Sequence, residues 1–457
     1  MTETVELPLW LFALILAFAA VTAATHFLFP SVRWFFRRRL ERVVAQLNTR
    51  LARPIQPFKL ARRPDTIQRL TYDTEVIAAA TAEARSEGIP ESVAVERARR
   101  YAREIVPSFS ATAYFGIAIR IARWLSEALY KVRIVQLDDA AHAAIPADAT
   151  VVYVINHRSN MDYVLVTYLA ASQSALSYAV GEWARVWPVS RLIRAMGGYF
   201  IRRRSRGALY RKVLARYVQM ATDGGVTQAV FPEGGLSLTG AVQDPKLGIL
   251  SYILGGAQTA AREIVFVPVA LNYDRVLEDL VLLEAAETGT RRFGLGPVSG
   301  IVYLGKLIWR RLSNGSYRFG YAAVSFGAPL PLSALLPIGC ADPVPVVADR
   351  LMAEIRASVP VLPVPLVASV LLEAETPLTE VALVARMEES LSAMPKALVR
   401  LPGGDVAAAA QEGLETLRVR KMVEKSGAGT WSVRRDRRVL LTFYARSIAH
   451  LSKSVET

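Results

Sequence analysis

The 457-residue sequence predicts an α/β layered domain, preceded by a membrane-spanning helix and followed by a mainly helical module. Three observations carry that expectation. Over residues 132–330, short β-branched runs alternate with helical stretches, the pattern of strands covered by helices on a sheet. Near the start, Leu7–Phe29 contains no Asp, Glu, Lys or Arg. Residues 328–365 then concentrate proline, and new helix signals begin beyond them. At about 150 residues per domain, the length accommodates two or three such units.

The first element is the uncharged run. As a helix it is about 35 Å long, enough to cross a hydrocarbon core of about 30 Å. A cleaved leader begins with basic residues, whereas this segment follows Glu3 and Glu6. Residues 30–63 carry ten Lys and Arg (Arg33, Arg37, Arg38, Arg39, Arg42, Arg50, Arg53, Lys59, Arg62, Arg63) against Glu41 alone. The positive-inside tendency puts the N-terminus outside and everything after Pro30 in the cytoplasm, with Trp10 and Trp34 at interface depth. Phe319–Ala341 is also uncharged, but Pro329, Pro331 and Pro337 make it a strand followed by an irregular loop. One span is therefore expected.

Next come surface helices over 66–105, broken near Pro90, and an amphipathic helix over Ser110–Lys131 from the spacing of Phe115, Ile119, Ala122, Leu125 and Leu129. The strands of the α/β domain are expected at Val151–Ile155, Thr227–Phe231 and Ile264–Ala270, with helices around 162–172, 207–223 and 247–262. After the proline-dense stretch, Thr376 is a candidate N-cap with Pro377 at the first helical position. Leu417–Val423 and Thr430–Val433 flank Gly427-Ala428-Gly429 as a hairpin, so helices plus hairpin suggest a winged-helix-like module. The expected divisions are an anchor over 1–30, a basic juxtamembrane and helical region over 31–105, the α/β domain over 106–330, and the proline-rich connection with its C-terminal module over 331–457.

Composition narrows the function classes. Apolar residues make up 52% of the chain and mean hydropathy is +0.27, which excludes global disorder. Cys340 is the single cysteine, so no disulfide scaffold is available. The four histidines His26, His142, His157 and His450 are widely spaced, which argues against a zinc site, and no metal is expected. A net charge of +15 leaves nucleic acid or an anionic membrane as the main partners. Arg434, Arg435, Arg437 and Arg438 after the hairpin keep nucleic acid conceivable, but the anchor favours membrane lipid, and no nucleic-acid partner is expected.

The chemistry concentrates where strand Val151–Ile155 runs into Asn156-His157-Arg158-Ser159-Asn160-Met161-Asp162. Ser159 and Asp162 have the spacing of a capping box, so on that spacing alone Asp162 caps a helix and His157 is an ordinary loop histidine. Three later blocks add polar groups at strand ends. Gly197-Gly198-Tyr199-Phe200-Ile201 leads into Arg202-Arg203-Arg204. Phe231-Pro232 leads into Glu233-Gly234-Gly235, whose glycines let a ligand approach the backbone. Val267–Tyr273 is another buried strand ending near polar groups.

These four blocks, in this order and separation, resemble the glycerolipid acyltransferases, and among them the bacterial membrane-bound glycerol-3-phosphate acyltransferases. Asp244-Pro245-Lys246-Leu247-Gly248 and the C-terminal Leu441–Tyr444 and Ile448–Leu451 are similar to that family as well. The resemblance covers roughly residues 100–451. It implies a mixed α/β sheet flanked by helices with the site on one open face. It also implies transfer of a fatty acyl group from acyl-CoA or acyl-carrier-protein, as donor substrate with no cofactor, to the sn-1 hydroxyl of glycerol 3-phosphate. In that reading His157 is the general base and Asp162 holds its tautomer. Backbone N–H groups after Ser159 are expected to receive the oxyanion. Arg202, Arg203 and Lys246 are expected to meet the acceptor phosphate, with Arg158, Ser159, Glu233, Gly234 and Gly235 completing the substrate site. The Arg202–Arg206 cluster is open to a second reading, a solvated basic face toward anionic lipid. One departure stands out. Where the family has arginines after its Glu-Gly pair, this chain has Leu236 and Leu238. Lysophosphatidate or another lipid alcohol is therefore an alternative acceptor, and a non-catalytic membrane-tethered scaffold is the alternative outside enzymes.

Overall fold

A computed structural model of the chain describes residues 8–18, 38, 42–181, 189–202, 207–255, 262–289, 319–337 and 339–452. The chain divides into two units, residues 1–55 and 56–457. In the first unit, residues 9–18 and 42–48 are helical. Leu9, Trp10, Phe12, Leu14, Ile15, Leu16 and Phe18 are all exposed. Among the described residues no helix is long and apolar enough to cross a membrane. Residues 7 and 19–29 of the expected span, and Trp34, lie outside the described residues.

After a short helix at Pro57–Leu60, the second unit continues with the helices Arg63–Thr71, Thr74–Glu87 and Glu91–Ile105. Asp73 caps the second by accepting from the Glu75 N–H, and Gly88 closes it in the left-handed region at φ 64°. Buried alanines at 80, 84, 94, 98 and 102 give these helices smooth faces for close packing. The expected amphipathic helix is present, but it begins as a π-helix over Thr112–Ala118 before continuing as α-helix over Ile119–Leu129.

Among the described residues eight strands form the sheet: β1 (Lys131–Gln136), β2 (Thr150–Ile155), β3 (Ser177–Gly181), β4 (Tyr199–Ile201), β5 (Gln228–Val230), β6 (Ile264–Tyr273), β7 (Tyr321–Phe326) and β8 (Leu330–Pro331). Their order is β1-β7-β6-β2-β5-β3-β4, with β8 pairing on β6. From β6 to β4 the neighbours are parallel, while β7 and β8 run antiparallel to β6. The sheet is thus mixed and flanked by helices, as the resemblance implies. Every residue of β2 and β6 is buried, which explains their unbroken apolar runs: both faces are covered. Strand β6 extends three residues beyond Ala270, because Val269–Tyr273 pair with β7.

Crossovers are made by Met161–Leu169, Ala208–Asp223 and Gly248–Leu254. The last is shorter than the expected stretch, of which residues 256–261 lie outside the described residues. The C-terminal region is mainly helical, with Pro343–Ala357, Pro363–Glu373, Glu380–Ser392, Val406–Val419 and Arg438–Ala445. Its hairpin pairs β9 (Val423–Lys425) with β10 (Trp431–Val433), so Leu417–Val419 end a helix instead of opening a strand. The helix expected at Thr376 starts at Glu380 under a Thr379 cap. Leu378 exchanges both backbone hydrogen bonds with Trp431, and that extended pairing delays the helix. One cluster of buried apolar side chains runs from Ile67 to Leu451, joining the C-terminal helices to the sheet.

Candidate active site

The site is built where β2 ends beside β6. Asn156 continues the pairing with its side chain, donating from Nδ2 to the Leu271 carbonyl (3.0 Å) and accepting the Leu271 N–H at Oδ1 (2.7 Å). The chain can then leave the sheet without stranding buried backbone groups. His157 follows, with both backbone polar groups held by the loop after β5. Its N–H donates to Glu233 Oε1 (2.8 Å), and its carbonyl accepts from the Ser237 N–H (2.8 Å).

The His157 ring is buried, with the Phe231 ring centroid 4.2 Å away and the edge of Tyr163 at 5.4 Å. Its Nδ1 lies 2.9 Å from Asp162 Oδ2. The same oxygen accepts the N–H groups of Arg158 (2.7 Å) and Ser159 (3.0 Å), and Oδ1 accepts the Tyr273 hydroxyl at 2.7 Å. All these partners are donors, so Nδ1 carries the proton and a neutral ring has its lone pair on Nε2. Among the described residues nothing hydrogen-bonds to Nε2. The two roles considered for Asp162 therefore coincide: one carboxylate caps the helix and orients the histidine.

Glu233 is a positioning group. Oε1 takes the His157 N–H, Oε2 takes the Gln243 N–H (3.0 Å), and burial pushes its carboxyl up to about 8 against the pull of those two bonds. Gly234 follows at φ 66°, and a β-carbon there would lie 2.7 Å from Lys246 Cδ, so the exposed Lys246 lies against this turn. Gly235 and Leu236 are buried, and Leu238 is half-buried.

Several expected contacts are placed differently. Arg158 is buried and turned toward the C-terminal region. It donates from Nη1 to the Gly240 carbonyl (2.7 Å), and its guanidinium lies 5.5 Å from the centre of the Phe443 ring. Among the described residues its Nε and Nη2 have no hydrogen-bond partner, and burial lowers its pKa. Arg202 forks onto Glu104 through Nε (2.8 Å) and Nη2 (2.5 Å) and lies over the rings of Tyr101 and Tyr210, so this edge of its guanidinium is engaged within the protein. Arg203 to Arg206 lie outside the described residues.

The N–H groups at the helix start are occupied too. Those of Arg158 and Ser159 go to Asp162, that of Asn160 to Glu278 Oε1 (3.2 Å), and that of Met161 to Ser159 Oγ (3.1 Å). The expectation of an oxyanion site there is corrected by this occupancy. Ser159 itself donates to Glu278 Oε2 at 2.8 Å, and burial raises the Glu278 carboxyl to about 7.

Behind the helix lies an apolar cavity of about 220 Å³, lined among others by Ala122, Leu125, Val164, Ile193 and Met196. Asn160 and Tyr163 line it as well, and Tyr163 bridges it to the His157 ring. A buried His–Asp pair with an open Nε2 beside an apolar cavity can deprotonate an alcohol next to a hydrocarbon chain.

Sequence alone did not show the partners that reach this loop from far away: Tyr273, Gln243, Glu278 and Phe443. Tyr273 closes a block already singled out, and Phe443 sits in the C-terminal motif, but neither pattern reveals its contact.

Residues 136–272 match the Acyltransferase family. Residues 305–452 match the Glycerol-3-phosphate acyltransferase C-terminal region. The chain belongs to the glycerol-3-phosphate acyltransferase family. It is 28% identical over 425 residues to the glycerol-3-phosphate acyltransferase of Glaesserella parasuis serovar 5, covering 86% of this chain and 50% of that protein. It is 29% identical over 407 residues to the enzyme of the same name from Shewanella sp. MR-7, covering 81% and 48%. The chain thus spans about half the length of the curated relatives it matches. A solved structure, the 1-acyl-sn-glycerophosphate (LPA) acyltransferase from Thermotoga maritima, is 17% identical, with 58% and 82% of the two chains covered and a TM-score of 0.31.

Proposed function

We propose that this chain is a membrane-associated acyltransferase that moves a fatty acyl group from acyl-CoA or acyl-carrier-protein to the sn-1 hydroxyl of glycerol 3-phosphate. The observation that carries the reading is the His157–Asp162 pair, with Nε2 uncommitted beside the apolar cavity. Family membership and the names of the relatives supply the acceptor. The expected anchor over 7–29 and the basic segment after it supply the attachment to membrane lipid.

In the reaction, Nε2 of His157 takes the proton of the acceptor hydroxyl as its oxygen attacks the thioester carbonyl carbon. Asp162 stabilises the imidazolium so formed. The tetrahedral intermediate collapses with cleavage of the C–S bond, and the leaving thiolate receives the proton from Nε2. Ester and free thiol are the products. The thioester is already activated, so no enzyme nucleophile is needed. The acyl chain lies in the cavity against Tyr163, and Lys246 beside Gly234 faces the acceptor phosphate.

The leucines at 236 and 238, together with the engagement of Arg202 by Glu104, favour a second reading with a different acceptor, lysophosphatidate or another lipid alcohol. The test is turnover of a labelled acyl thioester by the purified full chain across a panel of acceptors. Transfer to glycerol 3-phosphate is expected. Transfer only to another alcohol selects the second reading, and no transfer to any acceptor refutes both.

A further inference from the structure

The mouth of the apolar cavity carries an exposed hydrophobic rim that the acyl-transfer chemistry does not use. Ile117 (56%), Ile121 (50%) and Trp124 (50%) point outward from the helical stretch 112–129, while Ala122 and Leu125 on its inner side are buried and line the cavity. Leu192 is 45% exposed on the facing helix Val189–Ala195. Ile121 and Leu192 both belong to the cavity lining, so the rim and the mouth are continuous. The segment that leads into the first helix is tied to the end of the second by backbone bonds from Ser108 N–H to Arg194 O (3.2 Å) and Ser110 N–H to Ala195 O (2.9 Å). Single exposed apolar side chains are ordinary, but four around one apolar opening are not.

Cations border this rim. Arg120 adjoins Ile121, Arg191 adjoins Leu192, and both are exposed. Arg123, one turn along, is exposed and pairs with Glu127 at 2.9 Å. Exposed aliphatic and tryptophan side chains flanked in sequence by exposed arginines match the acyl–headgroup boundary of a bilayer. There the apolar atoms leave water and the arginines meet anionic phosphates.

We propose that this rim, made by Ile117, Ile121, Trp124 and Leu192 with Arg120 and Arg191, is a lipid-docking surface that seats the cavity mouth in an anionic bilayer. The contact belongs to the second unit and uses none of the residues of the expected N-terminal anchor. Docked this way, an acyl chain passes between bilayer and cavity without crossing water. That last point rests on the acyl-transfer reading; the lipid contact itself rests on exposure and charge.

The test is a nitroxide label at Ile121→Cys in a full-length Cys340→Ser background, with Val381→Cys as reference because Val381 is 81% exposed. Collision with oxygen and with a water-soluble nickel chelate is measured on vesicles of phosphatidylcholine with and without phosphatidylglycerol. With phosphatidylglycerol, the label at 121 is expected to shift to oxygen-dominated collision while 381 stays nickel-accessible. Nickel access at 121 on both vesicles overturns the proposal, and so does shielding from both reagents, which marks a protein-covered face. If that variant misfolds, quenching by brominated lipid is compared between wild type and Trp124→Phe. Loss of part of the quenching supports the contact and unchanged quenching overturns it. Neither readout uses turnover, so failure of glycerol 3-phosphate acylation leaves the docking result intact.

Discussion

Gly240 rests against the backbone of Phe443 so closely that a β-carbon on Gly240 would lie 1.8 Å from the Phe443 carbonyl oxygen. The two residues close the loop after β5 onto the helix Arg438–Ala445, and Arg158 is held between them by the Gly240 carbonyl and the Phe443 ring. Gly240 also has φ 86°, which disfavours any side chain. Gly240→Ala is therefore expected to lower stability by about 3 kcal/mol or more and to reduce acyl transfer through displacement of Arg158. Urea denaturation and initial rates check this. A variant with wild-type midpoint and rate would show that the contact is dispensable.

His157→Ala is expected to abolish transfer in a protein that still melts cooperatively. Asp162→Asn is the sharper variant. Its amide nitrogen can face the Tyr273 hydroxyl, which rotates to accept, while its oxygen keeps the three donors now on Oδ2. The geometry survives and the charge does not, so kcat is expected to fall by about 10²–10⁴-fold, against a stability loss of about 1–2 kcal/mol. Stability loss with unchanged kcat would leave Asp162 as a helix cap alone.

Glu233 predicts a pH dependence of stability. Folded, its carboxyl keeps its proton up to about pH 8; unfolded, it loses it near its ordinary value of 4.5. Between those values the folded chain binds more protons, and unfolding releases them. The contribution is complete below about 4.5 and is lost as pH rises toward 8. The difference in urea midpoint between wild type and Glu233→Leu is expected to shift against wild type across that window. A difference that stays flat from pH 5 to 8 would mean that Glu233 is ionised throughout.

Arg420 and Asp279 form an ion pair of 2.6 Å that is nearly sealed from solvent, with the Tyr444 hydroxyl bonded to both. Removing one partner strands the other charge. Arg420→Met is expected to cost about 3–5 kcal/mol, read from chemical denaturation. A loss below about 1 kcal/mol would place the pair with weak surface bridges.

Ala122 lines the cavity and is buried. Ala122→Phe fills part of that space, so turnover is expected to fall more for long-chain than for short-chain thioesters. An equal effect on both would separate the cavity from the acyl chain.

The sequence made some of this legible for physical reasons. Strand β2 and the turn after it are encoded locally, by an apolar run and by a carboxylate one helical turn beyond Ser159. Arg202 was not legible, because the Glu104 that engages it lies 98 residues away, and an arginine next to a strand reads alike whether free or paired. The helix-start N–H groups looked open for the same reason: Glu278, which takes one of them, is 118 residues from Asn160. Thr376 and Thr379 offer similar caps, and the choice falls to a backbone pairing between Leu378 and Trp431 that no local pattern contains.

The single carboxylate that serves both the histidine and the helix start has a further consequence. Asp162 Oδ2 holds the ring and the N–H groups of Arg158 and Ser159, the residues that lead into the first turn of Met161–Leu169. Opening that turn removes the orienting oxygen from His157 in the same motion. On the proposed mechanism, activity is expected to have its own thermal limit, set by the fraying of a few residues. It can fade on warming while the sheet beneath remains intact.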